Sequence, residues 1–202
     1  AEQINQRLVF RGVWFFQVKE RADGELVLME ISPRIAGTMA LFRSVGVNFI
    51  QLSLYDRMDY EVKIIPHTFH TEIDRALFAR FTLDISYDTV YVDFDDTIIV
   101  NNRVNTNLIK FLYQCKNSSK KLILITKHLY DIKETLDTFA ISVLLFDEVI
   151  QLTKIQEKIN YIKDRNSIFI DDSFKERHSI SQALNIPTFG LDAVESLLDW
   201  KV

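Results

Sequence analysis

Residues 87–100 read YDTVYVDFDDTIIV. Three carboxylates, Asp93, Asp95 and Asp96, follow directly on Thr89-Val90-Tyr91-Val92, a run of β-branched and aromatic residues with the grammar of a buried strand. Like charges a few Å apart raise one another's pKa. The arrangement therefore calls for a cation, a phosphoryl chemistry, or a loop open to water.

Outward from this stretch, short apolar runs alternate with amphipathic ones. VNTNLIKFLYQCKN reads as a helix, KLILIT as a strand, and HLYDIKETLDTF as a helix. SVLLFDEVI reads as a strand or a strand with a turn, KIQEKINYIKD as a helix, IFIDD as a strand, and SFKERHSISQALN as a helix. Such alternation predicts βαβ units, a parallel sheet and an α/β, Rossmann-like domain over 87–202. Ligands of open α/β sheets bind beyond the carboxyl ends of the strands. Three strand ends here carry reactive side chains: Asp93 to Thr97, Thr126-Lys127-His128, and Asp171-Asp172-Ser173. Right-handed crossovers bring such ends to one edge. A cleft of carboxylates needs a cation, and oxygen-only ligands suit Mg²⁺.

Asp93-x-Asp95-x-Thr97, Thr126 at the end of the next strand, a helix lysine, and Asp171-Asp172 after a later strand, in this order, resemble the four motifs of the haloacid dehalogenase superfamily over about 87–202. The resemblance implies a phosphatase. Asp93 would be the nucleophile, forming an aspartyl-phosphate. Asp95 would be the general acid and base. Thr126 would hydrogen-bond the phosphoryl oxygens, Thr97 would hold the loop, and Asp171 and Asp172 would hold Mg²⁺ with Asp93 and the backbone carbonyl of Asp95. The lysine is Lys158 or Lys154, expected one turn apart on a single helix face, with Lys158 preferred. Only 28 residues separate Thr97 from Thr126. That leaves no room for an inserted cap domain, so the substrate must be shielded by another domain, another subunit or its own bulk. The N-terminal piece is the obvious lid.

Other residues carry plainer readings. Asp96 reads as a loop cap, His128 as an exposed loop histidine, Lys127 and Lys163 as solvated, and Cys115 as core beside Leu112. His67, His70 and His178 lack metal-ligand spacing.

The first half has a different grammar. Two aromatic-rich apolar runs, LVFRGVWFFQVKE and ELVLMEI, flank Arg21-Ala22-Asp23-Gly24, which predicts a hairpin. Helices are expected over about 39–45 and 48–58, and a connector over 67–86. Residues 8–65 resemble the final hairpin and loop of the ATP-grasp ligases, with Gln17 at the first metal-binding position and Glu30-Ile31-Ser32-Pro33-Arg34 at the second. The resemblance implies that Glu30 would ligate Mg²⁺ and Arg34 would hold the transferred phosphate. Ser32 stands where asparagine is usual. A structural alternative for Glu30 and Arg34 is a surface salt bridge beside a turn. A segment of about 65 residues lacks the nucleotide-clamping part of that fold, so the chain is expected to be a fragment of a longer fusion or to carry a remnant used as scaffold. The start at Ala1 favours the fragment.

The totals narrow the rest. In 202 residues, 48% are apolar, 26% charged, with 5 Gly and 3 Pro, a composition of folded chain without long linkers. A net charge of −4 gives no footprint for nucleic acid. No membrane span or signal peptide is readable, and a single cysteine points to a cytoplasmic location. A small phosphorylated substrate, a Mg²⁺ cofactor, and self-association or a partner subunit carrying the missing ATP-grasp portion are the expected partners. Two rival readings are a ligase whose appended phosphatase-like domain processes its substrate or product, and a non-catalytic binding module on the same fold.

Overall fold

In the computed structural model, residues 2–75 and 79–201 are described; residues 76–78, inside the expected connector, and both terminal residues lie outside them. The chain divides into two compact units, Ala1–Pro66 and His67–Val202.

The first unit runs α1 (Glu2–Arg7), β1 (Phe15–Glu20), β2 (Leu26–Ser32), α2 (Ala40–Ser44) and α3 (Phe49–Arg57). β1 and β2 pair antiparallel around the expected turn. There the Asp23 carboxylate accepts from the Glu25 N–H at 3.0 Å and Gly24 adopts φ +85°. α3 starts where the Asn48 side chain accepts from the Gln51 N–H. Gly46, at φ +87°, cannot be replaced: a Cβ there would stand 1.9 Å from the Ile65 carbonyl oxygen. The unit's apolar side chains find little cover. Among the described residues every buried apolar side chain belongs to the second unit.

The second unit opens with a hairpin, β3 (Thr71–Arg75) and β4 (Ala79–Leu83), inside the stretch read as a connector. Phe69, Leu83 and Ile85 pack against the main core. The sequence reading missed these strands because charged residues interrupt their apolar pattern. Then come β5 (Thr89–Val92), a small hairpin of β6 (Ile99–Val100) and β7 (Arg103–Val104), α4 (Thr106–Asn117), β8 (Lys121–Thr126), α5 (Ile132–Thr138), β9 (Glu148–Gln151), β10 (Ser167–Ile170), α6 (Phe174–Leu184) and β11 (Thr188–Phe189). Asn101 and Asn102 turn the small hairpin with φ of 51° and 57°, as a tight two-residue turn requires.

The central sheet has five strands in the order β11-β10-β5-β8-β9, and every neighbouring pair is parallel. Strand alternation splits its side chains between two apolar layers. Val90, Val92, Leu122, Leu124, Ile168 and Ile170 pack with Leu108, Phe111, Leu112 and Cys115 of α4 and with Ile132 and Leu136 of α5. Tyr91, Ile123, Ile125 and Phe169 face the other way, onto Ile180 of α6 and Ile162. Both faces are covered, which is why these strands read as continuous apolar runs. This is the expected Rossmann-like arrangement.

One expected helix is absent. Residues 154–164 form only a 3₁₀ turn at Lys158–Tyr161. The Gln156 side chain accepts from the Thr153 N–H at 2.7 Å, closing a local loop, and Ile155 is 91% exposed. Lys154 and Lys158 therefore share no helix face. Lys154 is exposed, whereas Lys158 is buried. No helix among the described residues is long and apolar enough to cross a membrane.

Candidate functional site

β5 is flanked by β10 and β8, so Val92 lies level with Ile170 on one side and Leu124 on the other. The next residues, Asp93 and Asp171, leave adjacent parallel strands side by side, and Thr126 ends β8 two residues beyond Leu124. The Asp93 N–H still donates to the Ile170 carbonyl at 3.0 Å, so the nucleophile candidate is fixed by the sheet itself. After it the chain coils tightly. The Phe94 carbonyl accepts from the N–H groups of Thr97, Ile98 and Ile99, and Asp96 takes φ 52° at the exposed apex, the loop position read for it.

Carboxylate oxygens of Asp93, Asp171 and Asp172 lie within 4.8 Å of one another. Asp93 and Asp171 are buried and Asp172 is exposed. Lys158 joins the two buried ones: its Nζ stands 2.6 Å from Asp93 Oδ1 and 2.6 Å from Asp171 Oδ2. Thr97 ties the loops together. Its Oγ1 accepts from the Asp172 N–H at 3.1 Å and stands 3.4 Å from Asp93 Oδ2 and from Asp172 Oδ1.

Burial drives the electrostatics. It pushes the Asp93 carboxyl up to about 7, with Lys158 pulling against it and Asp171 adding to it. Burial also raises Asp171, again opposed by Lys158. Burial alone would lower Lys158, but Asp93 and Asp171 raise it above its ordinary value, so it keeps its charge. With all three carboxylates ionised, Lys158 offsets one charge and two negative charges remain. An oxygen-only cluster with that charge fits a divalent hard cation such as Mg²⁺.

Asp95 stands apart from this cluster. Its carboxylate is 54% exposed and turned to His128, whose Nδ1 lies 2.9 Å from Oδ1. Only its backbone carbonyl had been expected to serve a metal. Thr126 is fully buried and its Oγ1 accepts from the His128 N–H at 3.1 Å. His128 itself is not the exposed loop residue expected: its side chain is 10% exposed. Nor is Lys127 solvated, since its Nζ pairs with Glu176 at 2.6 Å. Cys115 is buried in the core beside Leu112, as read.

Arg177 was missed altogether. One Nη1 donates to the backbone carbonyls of both Asp171 and Asp172 at 2.6 Å, gripping the loop that carries two of the three clustered carboxylates. Burial lowers its pKa. Gly190 leaves it room, as a Cβ there would lie 3.3 Å from the guanidinium carbon. The signal was available: Ser173 caps α6, and Arg177 follows one turn later on the same face. Were the three carboxylates to hold Mg²⁺, Arg177→Met would be expected to weaken that binding about 10- to 100-fold, the usual cost of losing a residue that orients metal ligands. Titration calorimetry at fixed pH measures this, and an unchanged affinity would remove Arg177 from the site.

In the first unit, strand register sets Gln17 directly across from Glu30, beside a bulge between Gln17 and Val18. Arg34 Nη2 lies 3.7 Å from Glu30 Oε1, with both side chains largely exposed, and its guanidinium sits 4.9 Å from the Phe15 ring centroid. The three candidate residues thus share one end of the hairpin, and the Glu30–Arg34 contact is also the surface pair of the structural alternative.

Residues 1–75 match the family described as ATP-grasp in the biosynthetic pathway with Ter operon. No curated relative matches the chain. Among solved structures, the chain is similar to the N-terminal part of a Bacteroides fragilis protein, described as containing a phosphatase domain and complexed with Mg. That similarity has 14% identity and a TM-score of 0.43, covering 56% of this chain and 38% of that one. It is also similar to an uncharacterized protein from Corynebacterium glutamicum, with 13% identity and a TM-score of 0.36, covering 52% of this chain and 82% of that one.

Proposed function

We propose that residues 67–202 form a Mg²⁺-dependent phosphatase acting on a phosphate monoester through a covalent aspartyl-phosphate. The observation that carries the proposal is the buried Asp93–Lys158–Asp171 array at the strand ends, with Asp95 two residues from Asp93 on the same loop. A buried, lysine-paired carboxylate beside an exposed one is a division of labour: one attacks while the other moves protons.

In the first step an Asp93 carboxylate oxygen forms a bond to phosphorus as the ester P–O bond breaks. The electron pair stays on the departing oxygen, which takes the proton held by Asp95, and the alcohol leaves. In the second, water attacks phosphorus, Asp95 takes its proton, and the bond to Asp93 breaks, releasing phosphate and restoring the carboxylate. The Thr126 hydroxyl, at the end of β8, and the Lys158 ammonium, between Asp93 and Asp171, would hold phosphoryl oxygens and offset charge. Asp93, Asp171 and Asp172 would hold Mg²⁺, which when bound neutralises charge on the transferring group.

Hydrolysis of 4-nitrophenyl phosphate tests the reading. Turnover is expected with Mg²⁺ and is expected to vanish on chelation and return when Mg²⁺ is restored. Turnover indifferent to chelation would overturn the Mg²⁺ dependence, and no turnover by protein shown to bind Mg²⁺ would overturn the reading and favour a binding module.

A second reading concerns residues 1–75 and rests on their family match together with the Gln17–Glu30 register. This segment would be the closing part of an ATP-dependent carboxylate–amine ligase. The phosphatase-like unit would then process that ligase's substrate or product. A Mg²⁺ site lost in Glu30→Gln and kept in Asp93→Asn would support it.

A further inference from the structure

We infer that His128 is a positioning residue for the reaction proposed above, fixing the Asp95 carboxyl in the orientation from which it serves the departing oxygen. The inference rests on the phosphatase reading and adds to it a residue outside the four motifs.

Asp95 needs such support. Its side chain is more than half exposed, on a loop, and an unrestrained carboxylate there samples several rotamers. Proton transfer is efficient only when donor and acceptor are held within hydrogen-bond reach. The single side chain bonded to its carboxylate, among the hydrogen bonds described, is His128: Nδ1 lies 2.9 Å from Oδ1 and 3.1 Å from Oδ2.

The imidazole is itself held from several directions. Nε2 lies 3.0 Å from the Thr135 hydroxyl oxygen. That hydroxyl donates its own hydrogen to the Asp131 carbonyl at 2.9 Å, so it accepts from Nε2–H and sets the ring's orientation. One edge of the ring meets buried Phe94 at a centroid distance of 5.2 Å. The His128 N–H donates to Thr126 Oγ1 at 3.1 Å, and its carbonyl accepts from Gln151 Nε2 at 2.9 Å. A ring so fixed at its far nitrogen, its edge and its backbone aims Nδ1 at one point, and Asp95 occupies that point. The bond to Thr126 also couples the loop of the acid to the residue proposed to hold the phosphoryl group.

Leaving-group dependence separates this role from general support of the fold. A 4-nitrophenolate departs with little need of a proton, whereas an alkoxide does not. For kcat/KM, which covers the steps through departure of the alcohol, His128→Leu in the full chain is expected to lose about 10- to 100-fold on butyl phosphate and far less on 4-nitrophenyl phosphate. His128→Asn places an amide where Nδ1 was and is expected to recover part of the butyl phosphate loss. His128→Gln reaches the Nε2 position instead and should recover less. Equal losses on the two esters, or Gln matching or exceeding Asn, would overturn the positioning role while leaving the phosphatase reading intact. A wild-type chain inert on both esters would overturn the phosphatase reading and this role with it. If the leucine variant fails to fold, the Asn and Gln comparison decides alone.

Discussion

Metal-free Lys158→Met is expected to unfold about 3–5 kcal/mol more easily than the wild-type chain at pH 8, the scale on which removing one partner of a buried ion pair acts. For a unit of this size that lowers the melting temperature by on the order of 10 °C. The reason is geometric. The Lys158 side chain is only 4% exposed, and its Nζ touches both Asp93 and Asp171 at 2.6 Å. Methionine fills much of the volume but leaves two buried carboxylates facing one another with no cation between them. Burial already raises both above their ordinary value, and Lys158 is the group that pulls them back. Without it both rise further. A carboxyl raised in the fold costs stability as pH climbs from its unfolded value near 4 through its folded value. The deficit should therefore be large at pH 8 and shrink towards pH 5, where the pair can hold protons. Urea unfolding at both pH values, with chelator present, measures it. A variant as stable as wild type at pH 8 would mean that the array does not depend on its lysine charge.

This array shows what the sequence could and could not carry. The parallel sheet was legible because its strands are buried on both faces, so VYV, LILI and IFI are unbroken apolar runs that end at reactive side chains. Asp93, Thr126 and Asp171 follow from that, since each occupies a strand end. Lys158 does not sit at a strand end or on a regular helix. KIQEKINYIKD has helical periodicity, yet a side chain bonding back to Thr153 and a lysine drawn between two carboxylates override it. Local propensity is a weak prior against contacts of this strength. His128 was illegible for a different reason. Its partner Asp95 is 33 residues away on another strand's loop, and no local pattern marks a long-range hydrogen bond. The small hairpin of Asn101 and Asn102 could have been found, because two residues suited to positive φ between short apolar pairs are a turn signal.

Asp93→Asn is expected to abolish phosphate ester hydrolysis, with a fall in kcat of at least about 10³-fold, while leaving the fold more stable than wild type at pH 8. The amide is isosteric with the carboxylate. Its oxygen can still accept from Lys158 and its nitrogen can donate to Thr97 Oγ1, so the loop keeps its connections. It cannot attack phosphorus to give an acyl phosphate. The stability gain follows from the sign of the Asp93 shift. Its folded pKa of about 7 lies above the ordinary 3.8, so the folded chain resists ionising it, and wild-type stability falls as pH rises from about 4 through 7. Asparagine has no proton to lose, and its curve should stay flatter over that interval. Metal-free wild type and variant should therefore diverge with pH, the variant ahead at pH 8. Added Mg²⁺ should narrow the gap by favouring the ionised wild-type cluster. Thermal unfolding of both chains at pH 5 and pH 8, with chelator and with Mg²⁺, supplies the comparison. A variant that loses stability at pH 8 would show that ionised Asp93 holds the fold together, and its presence at the strand end would then need no catalytic explanation. A variant that gains stability while losing all turnover would show the opposite, a carboxylate kept at a cost to the fold because the chemistry requires it.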